Sequence, residues 1–347
     1  MKHADAAKIT ASVTREVYSP PISIVVPCHN EADGIAELHR RVVAVCQTTI
    51  GDGFELVLVN DGSTDATWPL IRALAASDDH VVGVNLSRNH GHQLALSAGL
   101  TICSGERILI IDADLQDPPE LLPEMMRLMD GGADVVYGQR RTRSGETWLK
   151  TTTASWFYRL LDRLIDIDIP RDTGDFRLLT RRALNILLQM PEQHRFIRGM
   201  VSWIGLNQVP LPYDRNRRFA GTTHYPFTKM LRFAIDAVTG FSIRPLRIAS
   251  YLGIAFGFVG ALLLIYTAVG LLLHRTVAGW ASLMTTVVIL GSTQLLMLGL
   301  IGEYIGRIYT EAKRRPLFVI ESVVRKSNLG RPSQSETDVM RESLVTS

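Results

Sequence analysis

Two stretches near the C-terminal end constrain this chain more than anything else in it. Tyr251 to Leu273 and Trp280 to Gly302 contain no formally charged residue. A helix crosses a bilayer with about 20 apolar residues, and each stretch is long enough. His274 to Gly279 joins them, which predicts a two-helix transmembrane hairpin. The competing reading is a pair of buried helices inside a soluble body. Mean hydropathy is positive, +0.13, and the excess apolarity is concentrated in these two runs. Gln294, inside the second, suits a helix-packing hydrogen bond.

Charge orients the hairpin. The connector carries only Arg275, whereas Arg232, Arg244 and Arg247 precede the pair and Arg307, Lys313, Arg314 and Arg315 follow it. The positive-inside rule then places both flanks, both termini and the large N-terminal part on the cytoplasmic face of the plasma (inner) membrane. Residues 1–19 are polar, with no apolar segment of a secretory leader. Net charge is +3, which gives no sign of a nucleic-acid partner. Three scattered cysteines, Cys28, Cys46 and Cys103, fit a reducing compartment and form no disulfide or metal framework.

The N-terminal part alternates apolar strands with amphipathic helices. Strands are expected at Ser23 to Pro27, Phe54 to Val59, Val81 to Leu86, Ile108 to Ile111 and Asp134 to Tyr137. That alternation predicts an α/β domain with a doubly wound, mostly parallel sheet. The strands end in polar clusters: PCHNE (27–31), NDGSTD (60–65), SRNHGHQ (87–93), DADLQD (112–117) and GQRR (138–141). Ligands bind at such strand ends in open α/β sheets. No GxGxxG follows the first strand and no GxxxxGK[ST] occurs, which excludes the standard dinucleotide and P-loop sites.

The densest cluster follows the fourth strand. In an extended segment Asp112, Asp114 and Gln116 share one side, and clustered hard oxygens suit Mg²⁺ or Mn²⁺ carrying a diphosphate. Solvated acids at a strand end are the plain alternative. Glu31 and Asp61 could accept hydrogen bonds from a base and ribose, or simply cap helices. His90 and His92 suit a loop or donor-binding role better than zinc. Arg140, Arg141, Arg143 and Lys150 form a cationic group whose forks match phosphate oxygens. Trp148 to Leu164 has helical apolar spacing and reads as an amphipathic helix near the bilayer or in the core.

With DTGDFRL (172–178) and RFIRGMVSWIG (195–205), the ordered set resembles the family 2 glycosyltransferases of GT-A fold. More narrowly it is similar to the polyprenyl-phosphate glycosyltransferases, the group of dolichol-phosphate mannose synthase and the bacterial GtrB- and ArnC-type enzymes, and within these to the bactoprenol glucosyltransferase branch. The resemblance covers about residues 20–320. Together with the residue patterns it gives a tail at 1–19, a GT-A domain at 20–225, interfacial helices at 226–250, the hairpin at 251–302, a helix and short strand at 303–324, and a polar tail expected to be disordered at 325–347.

It also implies roles. Pro27, Asn30, Glu31 and Asp61 would hold the nucleoside of a UDP-sugar, and Asp112 would face ribose and diphosphate. Asp114 and Gln116 would hold the divalent metal. Arg140 and Lys150 would meet the acceptor phosphate, and Arg218 would cover the donor phosphates from a loop. Asp175 would stand nearest the reacting centre, orienting the sugar, steadying charge or acting as a base; the plain alternative is a loop carboxylate paired with Arg177. Asn60 stands where the family usually has Asp, and His224 where relatives commonly carry lysine.

The reaction implied is attack of a lipid phosphate oxygen on C1 of a nucleotide sugar, with inversion and release of UDP. A phosphate monoester has a second pKa of ~6 and needs little help from a base. UDP-glucose with undecaprenyl phosphate is the leading pair; GDP-mannose, UDP-galactose and UDP-formamido-arabinose are the alternative donors. A processive synthase would show a QxxRW element and more spans. A non-catalytic membrane scaffold is the reading from another class. The resemblance suggests a homotetramer.

Overall fold

A computed structural model describes residues 20–141, 170, 173–214, 244–272 and 279–326. The first half is a run of strand–helix units: β1 (Ile22–Cys28), α1 (Ile35–Ile50), β2 (Phe54–Asn60), α2 (Thr67–Ser77), β3 (Val81–Leu86), α3 (His92–Ile102), β4 (Arg107–Ile110), α4 (Leu122–Asp130) and β5 (Val135–Arg140). Then come β6 (Thr173–Thr180), α5 (Arg181–Gln189), α6 (Ile197–Ile204), β7 (Gln208–Tyr213), α7 (Arg244–Leu272), α8 (Trp280–Ala312) and β8 (Ile320–Val324). One eight-stranded sheet has the order β7-β5-β6-β4-β1-β2-β3-β8.

The sheet is mostly parallel, as its composition demands. Every residue of β1 and β2 is buried, the mark of strands covered on both faces. Ile22, Ile24, Val26 and Cys28 point to one core with Leu38, Val42 and Cys46 of α1. Val25 and Val57 point to the other, with Ala95, Leu96 and Leu100 of α3. Helix α3 lies against the strands because position 99 is glycine. A Cβ there would press on Val25 and come within 2.8 Å of Val59 Cγ2. This approach sets His92, the first residue of α3, at the carboxyl edge of the sheet.

Three features differ from the expected layout. The fifth strand runs past Tyr137 to Arg140, so the GQR residues are strand rather than loop. The TGDFRL segment is β6, inserted antiparallel between β4 and β5. QVPLPY forms β7 at the edge, parallel to β5; its exposed Pro210 and Pro212 lack the N–H an added strand would need.

The C-terminal part follows the expected order. Helix α7 begins at Arg244, so residues 244–250 continue into the first apolar run instead of forming a separate element. Among the described residues, Ile289–Ala312 of α8 is the stretch long and apolar enough to cross a membrane. Large apolar side chains stand exposed along both helices, Tyr251 at 68 % and Leu295 at 71 % among them. Surfaces of this kind mark a membrane-associated protein. The far end of α8 is tied to the sheet domain. The Gln193 amide N–H donates to Glu311 Oε1 at 2.7 Å, and β8 pairs antiparallel with β3, within the 303–324 segment where a short strand was expected. The expected elements at 148–164 and 226–243 lie outside the described residues.

Candidate active site

Four parallel strands deliver their carboxyl ends to one edge, and their loops enclose a cleft of about 260 Å³. Pro27, Glu31, Asp61, Asp112 and Asp114 of the expected set line it, joined by His29, Asn89 and His92. Asp61 is buried, and its carboxylate accepts the amide hydrogens of His90 at 2.7 Å and Gly91 at 2.9 Å. It thereby fixes the loop after β3. Asn30 sits outside the cleft wall, exposed, with φ 57; its Oδ1 accepts from the Thr64 amide at 2.9 Å and ties two loops together. Gly62, at φ 58, has no room for a Cβ against the Arg88–Asn89 backbone.

Asn60 is buried, and its amide nitrogen donates to Asn85 Oδ1 at 2.7 Å, while Asn85 donates to Glu321 Oε2 at 2.6 Å. A carboxylate at position 60 could not make that donation. The departure at this position therefore belongs to a chain of side-chain hydrogen bonds, Asn60 to Asn85 to Glu321, joining β2, β3 and β8.

The row after β4 keeps a strand-like alternation although the strand itself ends at Ile110. Asp112, Asp114 and Gln116 are partly exposed, while Ala113, Leu115 and Asp117 are buried. Leu115 adopts φ 57 to make the turn, and the Gln116 amide donates to Asp114 Oδ1 at 3.1 Å. Asp112 Oδ1 is shielded from solvent and has no hydrogen-bond partner. Burial pushes the Asp112 carboxyl up to about 6, opposed by His92 and reinforced by the charges of Asp175, Asp117 and Asp114. An acidic row with an unsatisfied oxygen fits a divalent cation.

Asp175 lies in strand β6, not in a loop, and only 2 % of it is exposed. Its partner is not Arg177. Arg198 of α6 donates Nε to Oδ1 at 2.8 Å and Nη2 to Oδ2 at 3.3 Å. Gln93 Nε2 donates to Oδ2 at 2.9 Å, and His92 Nε2 stands 3.3 Å from the same oxygen. Arg177 turns instead to main-chain carbonyls, with Nη2 donating to Gly174 O at 3.0 Å. Burial opposes ionisation of Asp175, but the Arg198 guanidinium and the His92 and Arg198 hydrogen bonds hold it far below the usual carboxylate range.

His92 Nε2 is also 3.4 Å from Asp112 Oδ1. Burial disfavours the imidazolium, yet the Asp175 hydrogen bond and the Asp112 charge raise the His92 pKa overall. His92, Asp112 and Asp175 each bring one metal-ligating atom within 4.8 Å of the others. Arg198 already supplies a cation to Asp175, so hard-oxygen chemistry favours the Asp112–Gln116 row as the metal position.

Arg140 ends β5 beside β7. Its Nη2 is 3.9 Å from Asp117 Oδ1, and the Tyr213 hydroxyl donates a short hydrogen bond to that same oxygen. Asp117 and Tyr213 thus brace Arg140 from behind. Lys150, Arg143, Arg218 and His224 lie outside the described residues. Gln93, Arg198, Asp117 and Tyr213 escaped the sequence reading. Only RFIRG hinted at Arg198, and nothing local tied it to Asp175.

Known proteins agree with this architecture. Residues 23–187 match the model of glycosyl transferase family 2, and residues 244–308 match the GtrB C-terminal hairpin. The chain is 45 % identical over 300 residues to the uncharacterized glycosyltransferase YkcC of Bacillus subtilis, covering 86 % of this chain and 93 % of that protein. It is 38 % identical over 315 residues to the SfII prophage-derived bactoprenol glucosyl transferase of Shigella flexneri, covering 90 % and 99 %. It is also 38 % identical over 306 residues to the prophage bactoprenol glucosyl transferase homolog of Escherichia coli K12, covering 87 % and 99 %. The chain belongs to glycosyl transferase family 2, among the members whose catalytic domain is followed by a GtrB-type C-terminal hairpin.

Proposed function

We propose that this glycosyltransferase moves one sugar from a nucleotide donor onto polyprenyl phosphate at the cytoplasmic face of the plasma membrane. Glucose from UDP-glucose is the donor we favour, on the similarity to bactoprenol glucosyl transferases. The observation that carries the reading is the row Asp112, Asp114, Gln116, whose two aspartates line the same cleft as Pro27, Glu31 and Asp61. Asp61 and Glu31 take the nucleoside end, and Asp112 takes the ribose and diphosphate side. Asp114 and Gln116 would hold Mg²⁺ or Mn²⁺, which when bound offsets charge on the diphosphate.

In the reaction an acceptor phosphate oxygen bonds to the sugar C1 as the C1–O bond to UDP breaks, with inversion. The developing charge needs cations more than an acid. Arg140, braced by Asp117 and Tyr213, supplies one; Lys150 and Arg218 are assigned the acceptor and donor phosphates. Helices α7 and α8 are proposed as two spans that hold the cleft beside the headgroups, and self-association to a homotetramer is the assembly we favour. Purified enzyme with Mn²⁺, undecaprenyl phosphate and a panel of UDP-glucose, UDP-galactose, GDP-mannose and UDP-formamido-arabinose tests this by mass spectrometry of the lipid. One glycosylated lipid species supports it; no lipid-linked sugar from any donor refutes it.

A further inference from the structure

The surroundings of Asp175 point past a base. We propose that Asp175 is a positioning residue, which holds His92 at the cleft wall beside Asp112 instead of taking a proton from the acceptor. This inference rests on the transferase reading above.

A carboxylate offers about four lone-pair positions. Four donors meet Asp175: two nitrogens of Arg198, one of Gln93 and one of His92. The Gln93 amide cannot turn round, because its Oε1 accepts the Ile197 N–H at 3.0 Å, so its nitrogen end stays on Asp175. Asp175 is 2 % exposed and stands behind His92, which is 44 % exposed and lines the cleft. A general base must come within hydrogen-bond reach of the proton it removes. Here the imidazole occupies that approach.

The same contacts give His92 a defined orientation. Its Nε2 stands 3.3 Å from Asp175 Oδ2 and 3.4 Å from Asp112 Oδ1, so this ring nitrogen is turned toward both carboxylates. The ring is fixed in the way a carboxylate orients a catalytic imidazole. What faces the substrates is then an imidazole ring backed by Asp175.

A double-mutant cycle on the full-length enzyme in detergent, with UDP-glucose and undecaprenyl phosphate, tests this. Asp175→Asn and His92→Gln should each lower kcat on the order of tenfold or more, with donor KM within about threefold of wild type. The double variant should match the weaker single variant within about threefold. Gln93→Met keeps the Arg198 pair and serves if Asp175→Asn does not fold. It should lower kcat in the presence of His92 and change little in a His92→Gln background. A base at Asp175 gives the opposite pattern: the two losses multiply, and Gln93→Met holds or raises kcat because a carboxylate with fewer donors is more basic. Either result with an active wild type overturns this inference and leaves the transferase reading standing. A wild type inactive with every donor overturns both.

Discussion

The carboxylates of the cleft are held in unlike states. Asp112 is lifted by burial and by neighbouring acids, so its ionised form is disfavoured in the fold. The folded value of about 6 exceeds the unfolded one, so the ligand-free protein gains from this group as pH falls through 6. Asp112→Asn should therefore raise the melting temperature at pH 8, with the difference shrinking as pH falls from about 6 toward about 4, while activity is lost; thermal melts across pH check it. Asp175 has the opposite sign. Its folded pKa is depressed, so its contribution is present above the usual carboxylate range and fades as pH drops below it. Arg198→Met strands that buried charge and should cost about 3–5 kcal/mol in denaturant titration. Asp114→Asn keeps the shape and removes a charge; a loss of roughly 10²-fold or more in kcat/KM is expected, against none for a scaffold. The acidic row was legible because its side-to-side alternation survives the end of β4. The Asp175 network was not, since Gln93, Asp175 and Arg198 stand far apart in sequence and meet only through the α3–β6–α6 packing.

Strands that are apolar throughout announced themselves, and β1 to β4 fall where their hydrophobic runs lie. Strands β6 and β7 did not. β6 buries Asp175 and Arg177 among Phe176, Leu178 and Leu179, so its pattern is neither alternating nor uniformly apolar. β7 carries two prolines, which argue against a strand anywhere except at an edge. The contact of α3 with the sheet is tested at Gly99. Gly99→Ala places a methyl against Val25 and Val59 and should destabilise by about 1–3 kcal/mol in thermal or urea unfolding. Because α3 starts at His92, the same substitution should also lower kcat without changing which donor is used.

The whole molecule couples the strand-end cleft to an apolar helical pair. The coupling is physical: Glu311 at the end of α8 binds Gln193, and β8 completes the sheet beside β3. The apolar runs of α7 and α8 were readable from their length and lack of charge, whereas the docking of β8 on β3 depends on a register no local pattern reveals. The full chain should stay in the membrane pellet through alkaline carbonate and require detergent for release, the outcome expected if α7 and α8 both span the bilayer as proposed. The central claim is that this cleft loads a single sugar onto a lipid phosphate. Its most direct test is mass spectrometry of undecaprenyl phosphate after incubation with wild-type enzyme, UDP-glucose and Mn²⁺. The account predicts one new species, the lipid phosphate carrying one hexose, and its absence with Asp114→Asn. A polymer, a water-soluble glycoside or an unchanged lipid with every donor would contradict it.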